Sequence, residues 1–177
     1  MDYYLPKNKR QEVAQNLIDI FEKNAVIKNE TTTFIINWVM SGPKEKYKFY
    51  YDVWNIVLKN HIPRYRPILF RSTERKYKFD RISSFTSSLY CAERFSDGKG
   101  YLIICDTNET LKYEKRVRKR GNYRNSFYPI VELLKKAKSN GGWNFSERFL
   151  NEYIREQEYV MSTDFDNMSM FKFCKSR

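Results

Sequence analysis

An α+β fold is predicted for this chain, with helices first and a mainly antiparallel β core, interrupted by helices, after them. Apolar residues recur at helical spacing through the first third of the sequence; beyond Pro63 and Pro67 they gather into short runs of strand length. Composition adds a third observation. The hydrophobic fraction is 41%, but aromatic residues supply 17%, with 14 Tyr and 13 Phe, and each buries a large area. A length of 177 residues suits one domain with its own core, read here as a helical segment over 1–62 and a β core over 63–177.

Taken in order, residues 11–24 place Val13, Leu17, Ile20 and Phe21 on one helical face. Residues 33–40 are apolar and fit helix or strand, and Ser41-Gly42-Pro43 ends them. Residues 47–60 line up Tyr47, Tyr51, Trp54 and Leu58 as a core stripe, with Tyr50 and Val57 beside it. Short apolar runs at 68–70 and 85–89 read as strands, and 101–105 is the clearest strand. A helical turn at 90–95 precedes the turn signal at 96–100. Helices are expected at 128–138, broken by Gly141-Gly142, and at 146–154; strand character resumes at 159–161. The tail from Ser162 carries no pattern.

Composition also narrows the function. Cys91, Cys105 and Cys174 are odd in number and lack metal-type spacing, which argues against a disulfide framework. With His61 as the sole histidine, multi-histidine metal sites are excluded and a histidine triad is disfavoured; next to Pro63, His61 reads as a polar helix-end residue. No stretch approaches the roughly 18 apolar residues of a membrane span, so no membrane partner is expected. The first seven residues lack the apolar core of a signal peptide, and a cytoplasmic location is expected. Lys and Arg number 33 against 21 Asp and Glu, a net charge of +12 that favours phosphate-rich or acidic partners.

Three elements carry chemistry. Arg71 ends the run Ile68-Leu69-Phe70, Ser87 lies in the hydroxyl cluster Phe85-Thr86-Ser87-Ser88, and Glu156-Gln157-Glu158 leads into Tyr159-Val160-Met161. Carboxylates at i and i+2 of an extended segment would share a face and suit acid–base chemistry or a developing cation. In this order, with Ala92-Glu93-Arg94-Phe95 following the hydroxyls, the trio resembles the R-S-E class of mono-ADP-ribosyltransferases, including compact bacterial and phage toxins. The likeness covers residues 68–161 and departs from the family pattern at Ser72, where a small residue such as glycine is usual, and in the order of the hydroxyls.

The resemblance implies a split β core of the ADP-ribosyltransferase type, NAD+ as co-substrate and no metal. It further implies that Arg71 grips the phosphates or ribose of NAD+, as a permanently charged planar fork can. Ser87 would orient the catalytic glutamate, with Thr86 or Ser88 as alternative registers, and Phe95 would stack near nicotinamide. Glu158 would stabilise the oxocarbenium-like sugar, and Glu156 would take a proton from the incoming nucleophile.

Glutamate at the first position implies a nitrogen acceptor that must lose a proton, either protein arginine or a nucleobase amine. Lys112, Lys115, Arg116, Arg118, Lys119, Arg120 and Arg124, interleaved with Tyr113 and Tyr123, suit single-stranded nucleic acid. That segment favours RNA, then DNA, over protein arginine, with Arg116, Arg118, Arg120 and Tyr123 as substrate contacts. A non-catalytic basic nucleic-acid-binding domain and an NAD glycohydrolase are the alternatives. A toxin or host-conflict role with an antitoxin or inhibitor as partner is an analogy only.

Overall fold

The computed structural model describes residues 3–42, 45–74, 82–97, 99–109, 126–162 and 168–173. Helices α1 (Lys7–Glu22), α2 (Asn29–Met40) and α3 (Lys48–Asn60) come first. Strands β1 (Ile68–Thr73) and β2 (Ile82–Thr86), helix α4 (Leu89–Arg94) and strand β3 (Tyr101–Asp106) follow. Then come β4 (Phe127–Pro129), α5 (Ile130–Asn140), α6 (Glu147–Glu156), β5 (Glu158–Ser162) and β6 (Ser169–Lys172). The fold is α+β.

The strands form one sheet of order β4-β5-β2-β1-β3-β6, antiparallel throughout. Among the described residues β1 and β2 meet at the single pair Phe70–Thr86, whereas β1 pairs with β3 along its whole length. The sheet is therefore two three-stranded halves joined by a narrow seam. Helices α1, α2 and α3 pack on one face with Trp38, Trp54, Tyr50, Tyr128, Val160 and α5. Leu69, Phe85, Ile103, Cys105, Phe127, Val131, Tyr159 and Met161 form a smaller core on the opposite side.

Local chemistry sets the boundaries. Ser88 caps α4 by accepting from the Cys91 N–H at 3.3 Å, and Ser146 caps α6 through the Phe149 N–H. Helix α5 stops at Gly141, and Gly142 follows with φ +86; a Cβ at Gly142 would lie 2.3 Å from Val26 Cγ1 and 2.5 Å from the Ile27 carbonyl.

Several expectations are corrected. The ambiguous segment at 33–40 is helix α2. In α3 Trp54, Leu58, Tyr50 and Val57 are buried as expected and Phe49 and Val53 join them, whereas Tyr47 is exposed and Tyr51 only partly buried. β2 begins three residues upstream of the apolar run at 85–89, since Ser83 and Ser84 pair with Met161 and Val160. The helix expected at 128–138 begins only at Ile130, because Phe127–Pro129 is a strand beside β5, and the patternless tail contributes β6. His61 ends α3 as expected but is buried at 5% exposure, packed against Phe21 and Tyr128. Cys91 and Cys105 are buried; Cys174 and the basic segment at 112–124 lie outside the described residues.

Candidate active site

The Glu-x-Glu segment is not extended. Glu156 is the last residue of α6, Gln157 turns the chain in the left-handed region at φ 49, ψ 46, and Glu158 opens β5. The two carboxylates thus stand on different elements, and Glu158's charge still raises the pKa of Glu156.

Glu158 pairs with Thr86 of β2, and Val160 with Ser84. Directly opposed residues share a face, so all four look toward the helical layer. There Trp38 of α2, fully buried, donates its indole N–H to Glu158 Oε1 at 3.0 Å. The Ser84 hydroxyl hydrogen-bonds the same carboxylate. Burial raises the pKa of Glu158; the charge of Lys46, the two hydrogen bonds and the charge of Arg71 oppose the shift without cancelling it.

Lys46, between α2 and α3, sets its Nζ 3.5 Å from the centroid of the Trp38 ring, a cation–π contact. Burial first, then the Arg71 charge, pushes Lys46 down to about 8, against the pull of Glu158. Arg71 Nη1 donates to the Ser84 carbonyl at 2.6 Å. Ser84 therefore ties the arginine to the glutamate, through its carbonyl on one side and its hydroxyl on the other.

The hydroxyl cluster does other work. Ser87 Oγ donates to Gln157 Oε1 at 2.7 Å, and its N–H to the Gln157 carbonyl. Thr86 Oγ1 donates to the Glu156 carbonyl at 2.7 Å. These bonds clamp the α6–β5 turn against the end of β2, so Ser87 braces the residue between the carboxylates and Ser84 touches Glu158. Glu156 lies at the rim, 3.2 Å from Arg94 Nη2. Burial raises its pKa first, the Glu158 charge second, and Arg94 works against both. Phe95 ends α4 at 65% exposure, with the Arg94 guanidinium carbon 5.3 Å from its ring centroid. Arg116, Arg118, Arg120 and Tyr123 lie outside the described residues.

The sequence reading missed Trp38, Lys46 and Ser84. Strand alternation back from Thr86 could have found Ser84. A tryptophan placed in a core needs a partner for its N–H, a weaker pointer to Trp38. Nothing local marks Lys46. Together these groups form a fixed, buried carboxylate flanked by cations, with a second carboxylate at the rim. The first can stabilise a developing cation and the second can accept a proton.

Comparison with protein-family models, with curated proteins and with solved structures found no match to this chain. Among the described residues, no group of three or more His, Cys, Asp or Glu side chains could hold a metal ion, and no helix is long and apolar enough to cross a membrane.

Proposed function

We propose that this protein is a mono-ADP-ribosyltransferase that moves ADP-ribose from NAD+ to a nitrogen acceptor on a macromolecule. The observation that carries this reading is the carboxylate of Glu158, buried yet held by Trp38 and Ser84 within reach of the Arg71 charge. An oriented carboxylate in a water-poor setting favours a positively charged ribosyl transition state over neutral ground-state sugar. Arg71 would hold the phosphates or ribose, the exposed ring of Phe95 would stack near nicotinamide, and Glu156 would take the acceptor's proton. The narrow seam between the sheet halves fits the split core that the resemblance implies.

RNA is the favoured acceptor, ahead of DNA, on the charge and aromatic content of residues 112–124. Protein arginine is the second reading, favoured by the arginine that already sits on Glu156. Such a transferase would act on acceptors in the cytoplasm, and an antitoxin or inhibitor partner would follow if it is a toxin. The rival of another class is a nucleic-acid-binding module without catalysis.

Labelled NAD+ supplied with RNA, DNA or protein, with nicotinamide release measured in parallel, separates these readings. Glu158→Gln keeps the shape and the Trp38 bond, and should cut release by about 10²–10³-fold while the Tm holds. Wild type that releases no nicotinamide with any acceptor would return the binding module.

A further inference from the structure

The rim of the site contains an arginine placed as an incoming nucleophile would be. Arg94 closes α4, and its Nη2 lies 3.2 Å from Glu156 Oε1; its side chain is 54% exposed and that of Glu156 24%. An exposed ion pair of this kind adds little to stability. Arg94 also lies across the exposed ring of Phe95, so the guanidinium has an open side. A guanidinium is protonated at all ordinary pH and attacks only as it gives up a proton. The carboxylate beside it is the one whose basicity is strengthened by burial and by its neighbour Glu158.

Resting on the transferase reading, we propose that Arg94 is the chain's own ADP-ribose acceptor, modified in cis when no other acceptor lies against Glu156. The bond between ribose C1′ and the nicotinamide nitrogen breaks, and its electron pair leaves with neutral nicotinamide. A lone pair of the Arg94 guanidinium forms the new C1′–N bond. The proton released from that nitrogen passes to Glu156 and on to solvent. NAD+ is the only co-reactant. Once modified, Arg94 blocks the rim for any external acceptor, so the first turnover limits the later ones.

The full chain is incubated with labelled NAD+ and no acceptor, over a range of protein concentrations, and digested for peptide mass spectrometry. Nicotinamide is measured alongside. The expected result is one ADP-ribose per chain, on Arg94, formed at a rate independent of protein concentration. Arg94→Lys retains a cation for Glu156 and should lose that label. Nicotinamide release with Arg94 unmodified, equal labelling of the Arg94→Lys chain, or a rate that climbs with protein concentration would each overturn the proposal. If wild type releases no nicotinamide in this assay or with RNA, DNA or protein added, the transferase reading itself falls and this one with it. Should Arg94→Lys fail to fold, the position of the label on wild type decides alone.

Discussion

The two faces of the sheet bury side chains equally well and handle polarity in opposite ways. The smaller core, around Phe85, Ile103, Phe127 and Met161, brings in the hydroxyl of Tyr159 and the thiol of Cys105, and the buried Thr73 follows Leu69 on the same face of β1. The helix-covered face contains a glutamate and, at the end of α3, a histidine. Glu158 is matched by two hydrogen bonds and the charges of Lys46 and Arg71. His61 is as deeply buried, but both of its ring nitrogens lack a hydrogen-bond partner among the described residues, and burial pushes it down to about 4. Burial with partners holds a charge ready for use; burial without them keeps the group neutral. The same layer does both.

Each side of that contrast can be broken. Phe85→Ala should have the largest effect, about 3–5 kcal/mol lost in urea unfolding, because it empties the apolar face. It should leave the acid limb of nicotinamide release where it is; a shifted limb would mean the faces are coupled. His61→Phe comes next and acts through pH. The unfolded chain binds the His61 proton near 6.5 and the folded chain only near 4, so wild-type stability falls as pH drops from about 6.5 to 4. The shift corresponds to about 3 kcal/mol. The variant should lack that part of the acid loss, and parallel pH curves for the two proteins would refute the assignment.

Lys46→Met should have the smallest effect, below about tenfold in rate at any one pH. Its charge favours ionised Glu158, so without it the acid limb of nicotinamide release moves to higher pH. The alkaline limb expected near 8, where Lys46 loses its proton, should vanish. A profile unchanged at both ends would remove Lys46 from the site.

What was legible in the sequence followed the range of the forces involved. Helical periodicity exposed α1, α3 and α6, since each carries its own apolar stripe. β4 and β6 were hidden because three or four residues show no period, and only their neighbours β5 and β3 make them strands. The serine motif placed the end of β2, but the hydroxyl on the carboxylate is Ser84, within a stretch too polar to read as strand. Arg71 and Glu158 could be picked out by type and order. Trp38, 120 positions from its partner, could not, for that bond exists only after the helical layer has docked. His61 stands at the helix end as expected, but its burial was hidden for the same reason: Phe21 and Tyr128 enclose it from distant parts of the chain.

The left-handed residue at Gln157 divides the pair of acids between a helix and a sheet. Glu158 is anchored in the β ladder, whereas Glu156 travels with α6. A substitution that tilts that helix by a few degrees would move the Glu156 carboxylate relative to that of Glu158 while the anchored acid stays put. In the proposed transferase, acceptor preference would then respond to changes in α6 while the carboxylate assigned to bond breaking stays in the sheet.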